Sequence, residues 1–392
     1  MTPDEIAICF QGMAQDISRR RQDVLKILTA HELYKTAEVE IEKTIGALET
    51  YSEELKLLEH RVPLGKVAVF LPLNMPLYSM VLYSCGSLLA GNDVLLRPST
   101  ATAAAVQKIF ELLNPSQYSL PWTLHVEPSG MFLQGCVKEK QVNCIVFTGR
   151  WESGLKLAES LSPAVNFIYS GPGVNPFIVL ADADIEQAVD CAVYSRIFNS
   201  GQDCLCAEQF LIEAQIWEDF VGLLLEKVRR LKVGALDDPE TDVGPLYLIP
   251  LADHVQQLIT ASGENIDWLL SAPIHPPLVP PLVCEVPIDR PLFKQEKFSP
   301  VFTLMRFTDL SVALNLVKES DYALGLTLFG GSQEILDDIE IGHIALNQSL
   351  LDVEGAHKPF GGYKRSGFVR NHGQTRYGPI LFSVETSVTT AL

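Results

Sequence analysis

Between residues 66 and 171 the sequence repeats one alternation: a short, almost continuously apolar, β-rich run followed by a longer stretch. The runs are "KVAVFL" (66–71), "DVLLRP" (93–98), "TLHVE" (123–127), "NCIVFTG" (143–149) and "NFIYSG" (166–171). Helical stretches, "PLYSMVLYSCGSLLAG" (76–91) and "ATAAAVQKIFELL" (101–113), separate the early ones. Strands that are apolar on both faces belong to a parallel sheet covered by helices on both sides. The pattern therefore predicts a doubly wound α/β unit of the nucleotide-binding kind, although a fold of this sort does not by itself fix an activity.

A second unit is expected from "NPFIVL" (175–180), with a helix over 184–198, a strand at 209–213 and a helix at 216–231. Further strands are predicted at 299–307 and 343–348, and the tail from 378 alternates as a strand would. Residues 4–50 read as one or two exposed amphipathic helices. Residues 51–65 read as extended, and the proline-rich stretch 271–287 as an irregular surface crossing.

A net charge of −18 opposes non-specific binding of a polyanion, which needs clustered Lys and Arg. A nucleotide cofactor, held by a few local groups, remains compatible with it. No apolar stretch is long enough to span a bilayer and no secretory leader is visible, so a cytoplasmic, reducing compartment is expected, with eight free cysteines. Cys9, Cys85, Cys136, Cys144, Cys191 and Cys284 sit in or beside apolar runs and read as small buried hydrophobes. No metal site is expected, because neither the histidines nor Cys204-x-Cys206 has partners at ligand spacing.

The segment "FNSGQDCLCAEQFLIE" (198–213) places a thiol on a Gly-containing turn between a helix and a strand. Gly201, Gln202 and Asp203 are poor neighbours for a cysteine that only fills a core. This motif resembles the cysteine motif of the aldehyde dehydrogenase superfamily. "LPLNMPLYSMVLYSCGSLLAGNDVLLRPS" (71–99), "IVFTGRWESG", "VLADADIEQAV", "QEKFSPVF" and "KPFGGYKRSG" resemble further blocks of that family, in family order, from about Gly65 to the C-terminus. The resemblance implies a doubly wound cofactor domain (1–172), an α/β catalytic domain (173–372) and a C-terminal strand (373–392). A small β oligomerisation projection is implied, to which residues 45–64 contribute, with a homodimer or homotetramer as the assembly.

The resemblance implies roles residue by residue. Cys204 is the nucleophile towards an aldehyde, with Cys206 as its rival, and the product of hydride loss is a thioester. Asn74, in Pro72-x-Asn-x-Pro, supplies an amide to the oxyanion, a donor worth about 3–4 kcal/mol of barrier. As a residue between prolines, Asn74 is also an ordinary turn former. Glu296 binds the nicotinamide ribose and Phe298 packs beside it. Arg97 and Ser99 receive the adenosine ribose, and Gly149 and Arg150 form the turn against the pyrophosphate. NAD or NADP is the implied cofactor. Thr100 stands where NAD-preferring members carry Glu, and an Arg without a nearby carboxylate tolerates a 2′-phosphate.

The sequence departs from the family where hydrolytic members carry a water-activating Glu: Ser170 stands there, Val174 replaces a Lys and Tyr83 another. A Ser hydroxyl is no general base near neutral pH. Three outcomes follow: transfer of the acyl group to a thiol such as coenzyme A (or the reverse reduction), slow hydrolysis with Asp203 or Glu208 as base, or a binding scaffold without turnover. Tyr78, Phe198 and Phe360 are candidates for an apolar entrance, with ordinary packing as the competing reading.

Overall fold

The computed structural model describes residues 1–138, 141–353 and 360–370, and the backbone of Ser383–Glu385. Two sheets organise the chain. The first has the strand order Gly367–Arg370, Asn166–Ser170, Cys144–Thr148, Lys66–Phe70, Asp93–Arg97, Trp122–Leu124. All its pairings are parallel except that of Gly367–Arg370 with Asn166–Ser170. The strand order reverses at Lys66–Phe70, which lies beside Cys144–Thr148. In such sheets the crevice beyond the carboxyl ends of the strands at that reversal is the ligand site.

The second sheet runs His343–Leu346, Gly325–Phe329, Asn175–Val179, Ala207–Glu213, Val301–Phe307, Leu282–Glu285, Asp267–Leu270, antiparallel only at its last pair. Its inner strands are buried end to end, as the apolar runs require. Val283 and Cys284 are sealed in this sheet, so part of the expected surface crossing is core. Prolines flank the strand Leu282–Glu285 but do not interrupt it, which leaves its N–H groups free to pair.

The N-terminal helices, Pro3–Arg19, Arg21–Leu28 and Tyr34–Thr50, are less exposed than expected. Phe10, Met13, Ile17, Leu28 and Ile41 pack with the helix Pro76–Leu89 in one core. Thr2 and Glu5 form a reciprocal cap at the start of the first helix. Residues 51–58 form a 3₁₀ helix rather than an extended segment: Tyr51 and Glu54 are buried against these helices, and chain extension begins only at Arg61–Pro63. That short strand pairs antiparallel with Ser383–Glu385, forming a two-stranded ribbon apart from both sheets. The rest of the expected C-terminal strand lies outside the described residues.

The strand Gly367–Arg370 joins the first sheet although it lies within the span expected to be catalytic, so the chain returns to the first sheet after completing the second. Among the described residues, no helix is long and apolar enough to cross a membrane.

Candidate active site

The strand ends at Phe70 and Thr148 open onto a cavity of about 990 Å³. Pro72, Asn74, Arg97, Ser99, Gly149, Arg150, Cys204, Glu296 and Phe298 all line it, so the structure gathers these site candidates in one crevice. Thr100 does not line it. It is exposed, and its hydroxyl accepts from Arg97 Nη2 at 3.2 Å.

The cysteine loop follows the helix Ile185–Ile197 and is strained by design. Asn199, Ser200 and Gly201 are consecutive left-handed residues, with φ of 50°, 56° and 77°. At Gly201 a Cβ would lie 2.5 Å from the Ser299 backbone and 2.7 Å from Arg196 Nη2, so only glycine fits. Cys204 is half-buried at the cavity. Cys206 is fully buried, its Sγ 3.7 Å from the Phe198 carbonyl, and burial pushes its thiol far above the ordinary range. The rival thiol is therefore core, and Cys204 alone of the two faces the crevice. The side-chain amide of Asn175 donates to the carbonyls of Cys204 and Cys206 at 2.7 and 2.9 Å, fixing the loop from below.

Asn74 Nδ2 donates to Asp203 Oδ2 at 3.2 Å. An amide carries two N–H donors, so one remains for a reacting oxygen. Asp203 Oδ1 accepts from the Leu205 N–H at 2.8 Å, so both carboxylate oxygens hold protein donors. Glu208 lies 2.7 Å from Arg196 and 2.8 Å from Lys297, all three side chains being essentially sealed from solvent. Burial alone would raise the Glu208 carboxyl, but Arg196 and Lys297 outweigh it and hold it below the ordinary range. Neither acid weighed above for water activation is placed for that task. Ser170 ends a strand, accepts the Gly149 N–H through its carbonyl, and does not line the cavity.

Glu296 Oε1 accepts the Gly173 N–H at 3.1 Å. Burial, with repulsion from Glu208 adding to it, pushes its carboxyl up to about 8. Phe298 adopts φ 49°, a costly conformation for an aromatic residue, held by its N–H bond to Glu208 at 3.2 Å. Arg97 has a carboxylate nearby after all: Glu127 acts on it electrostatically and its backbone carbonyl accepts from Arg97 Nε at 3.4 Å. The local sequence hides this because Glu127 belongs to the neighbouring strand end.

Tyr78 and Phe198 are buried core residues and Phe360 packs on His343, so none of the three lines the crevice. Sequence reasoning missed Lys156 and His254, which do. Lys156 follows the Gly149 turn on the helix Trp151–Ser160, and His254 Nε2 sits 3.2 Å from the Glu296 carbonyl. Among the described residues, no group of His, Cys, Asp or Glu is arranged to hold a metal ion.

The donor set fits a dinucleotide. Arg150, Lys156 and the start of the helix Trp151–Ser160 present positive potential for a pyrophosphate, and Gly149 leaves room, since a Cβ there would meet the Phe147 ring at 3.0 Å. Glu296 offers a carboxyl for ribose hydroxyls.

Comparison with known proteins bears on the same residues. The model of the aldehyde dehydrogenase family matches residues 2–379. A lactaldehyde dehydrogenase of Methanococcus maripaludis is 30% identical over 397 residues, covering 94% of this chain and 84% of the relative. An NADP-dependent succinate-semialdehyde dehydrogenase of Mycobacterium avium is 29% identical over 326 residues, 79% of this chain and 67% of the relative. The solved glyceraldehyde-3-phosphate dehydrogenase GapN of Methanocaldococcus jannaschii, complexed with NADP, superposes with a TM-score of 0.89 at 25% identity, covering 98% of this chain and 89% of that one.

Proposed function

The chain belongs to the aldehyde dehydrogenase family, which oxidises aldehydes with NAD(P), and on that premise we propose how its own residues do so. Cys204, its thiol proton first released to solvent, attacks the carbonyl carbon as thiolate, an S–C bond forms, and the carbonyl electron pair moves to oxygen. That oxyanion is received by the second N–H of Asn74 and the backbone N–H of Cys204. NAD(P), when bound, would supply the hydride acceptor, so that collapse of the oxyanion with loss of hydride leaves the carbon as a thioester of Cys204. Arg97, Ser99, Gly149 and Arg150 hold the adenosine and pyrophosphate end, and Glu296 with Phe298 the other. The single observation that supports this most is the convergence of Cys204, Asn74 and Glu296 on one cavity while Cys206 is sealed.

For the acyl group we propose transfer to a thiol acceptor of the coenzyme A class. The positions of Ser170, Asp203 and Glu208 off the cavity lining, and the pairing of Glu208 with Arg196, support this over hydrolysis. A thiolate acceptor is a strong nucleophile and needs no carboxylate base. Lactaldehyde and succinate semialdehyde, named for the relatives, form the first substrate panel. Without a thiol, NAD(P)H release is expected to stop after a burst of about one equivalent per site, with steady turnover once coenzyme A is added. Steady turnover in buffer alone would overturn this and favour hydrolysis.

We propose NADP as the preferred cofactor, supported by Arg97 at the cavity and by the NADP complex of the solved relative. Arg97→Ala is expected to lower kcat/KM for NADP by about tenfold or more relative to NAD, the value of a charge-assisted hydrogen bond. Glu127→Gln, which removes a repelling carboxylate, is expected to move the ratio towards NADP. Equal losses for both cofactors in Arg97→Ala would contradict the assignment. The ribbon of Arg61–Pro63 and Ser383–Glu385 supports a homodimer or homotetramer, because an open edge of this kind pairs with another sheet. Sedimentation velocity tests it, and a monomer would reject it.

A further inference from the structure

Two carboxyl groups lie buried beneath the crevice, and the reaction chemistry assigns them no part. Glu32 and Glu40 are 1% and 0% exposed. They face each other, and among the described residues neither has an Arg or Lys partner. The Glu40 carboxyl accepts from the Tyr78 N–H at 2.9 Å, and the backbone at Leu77 and Met75 acts on the Glu40 and Glu32 carboxyls in the stabilising sense. These residues open the helix Pro76–Leu89, whose own N-terminal residue, Met75, has φ 46° and no capping side chain. A buried helix start needs acceptors, and here two acids from distant sequence supply them. The residue before Met75 is Asn74.

The other arm runs to the cysteine loop. Tyr247 donates its hydroxyl to Glu32 Oε2 at 2.9 Å, and Asn199 Nδ2 donates to the same hydroxyl at 3.2 Å. The Tyr247 N–H holds Gln202 Oε1 at 2.8 Å, and Gln202 Nε2 holds the Asn199 carbonyl at 3.0 Å. One connected network thus grips both walls of the site. Among the described residues, the remaining oxygens, Glu32 Oε1 and Glu40 Oε2, have no N–H or hydroxyl donor. A single proton between them satisfies both, as in other carboxyl pairs too close to ionise together.

We propose that Glu32 and Glu40 share one proton and serve as positioning residues that set Asn74 against Cys204. Burial raises both carboxyls, and repulsion from Glu32 takes Glu40 well above the ordinary range, in keeping with a pair that retains a proton. The one charge left faces a helix N-terminus, which favours it.

The inference rests on Cys204 and Asn74 being the reacting pair, so Cys204→Ser is measured alongside it: turnover surviving in Cys204→Ser would fault that reading, not this one. Glu40→Ala in the full chain is expected to lower kcat about 100-fold, the size of a misplacement near 1 Å, and to slow iodoacetamide alkylation of Cys204, with cofactor affinity retained. Glu40→Gln is expected to restore most of kcat, because its amide N–H stands where the shared proton stood. Wild-type kcat in Glu40→Ala, or a Glu40→Gln as slow as Glu40→Ala, would overturn the proposal. Should Glu40→Ala fail to fold, Tyr247→Phe decides. It removes only the hydroxyl between Glu32 and Asn199, and wild-type turnover and alkylation in it would equally overturn the proposal.

Discussion

Cys204→Ala is expected to lose NAD(P)H formation by at least about 10⁴-fold, the scale on which removal of a nucleophile acts. No other thiol can substitute. Cys206 is fully buried, and deprotonating it there is strongly disfavoured by its surroundings. Cys204 sits between Asn175, which fixes its backbone, and the open crevice. Cofactor binding should survive, since Arg97, Arg150 and Glu296 are untouched. Cys206→Ser provides the contrast and should change stability more than turnover. The measurement is NAD(P)H absorbance under saturating aldehyde, together with peptide mass after thiol alkylation. Retained activity in Cys204→Ala would remove the chemical core of the assignment.

The second large effect concerns stability. Glu208 pairs with both of two buried cations, Arg196 and Lys297, and it also accepts the N–H groups of Lys297 and Phe298 at 3.1 and 3.2 Å. Glu208→Ala leaves both cations uncompensated and is expected to cost about 3–5 kcal/mol. Thermal and urea unfolding read this directly. Activity should fall with it, because the segment from Glu296 to Phe298 is hung on this carboxylate. The pH dependence has a definite sign. The Glu208 carboxyl is depressed in the folded protein, so its contribution is complete above the unfolded value of about 4.3 and is lost as pH falls through the folded one. Wild type should therefore lose stability in acid through a step that Glu208→Gln lacks. An unfolding midpoint in Glu208→Ala equal to that of wild type would show that the triad is neutral to folding.

Much of the fold was legible because buried parallel strands are written as apolar runs, and the helices between them as amphipathic spacing. The strands at Lys66, Asp93, Cys144, Asn166 and Asn175 begin within a residue of where the pattern places them. What escaped lacks a local signature. Leu282–Glu285 is hidden among prolines, and Gly367–Arg370 is a short edge strand in a glycine-rich basic stretch. At the crevice, Cys204 and Asn74 were visible because each stands in a motif. Glu32, Glu40, Tyr247 and Glu127 were not, since nothing in a sequence separates a buried carboxyl from a solvated one. Their meaning arises only from long-range packing, as with Tyr247 and Glu32, which meet across most of the first sheet's sequence.

The strand Gly367–Arg370 has a consequence for biogenesis. It seals the rim of a sheet whose other members emerge from the ribosome before the whole second sheet. Until Gly367–Arg370 is synthesised, the backbone of Asn166–Ser170 lacks that neighbour and offers its peptide groups to any passing strand. The nascent protein therefore cannot finish one lobe before starting the other. Its assembly is gated by the synthesis of residues on the far side of the second sheet, the circumstance in which a holding chaperone has the most to protect.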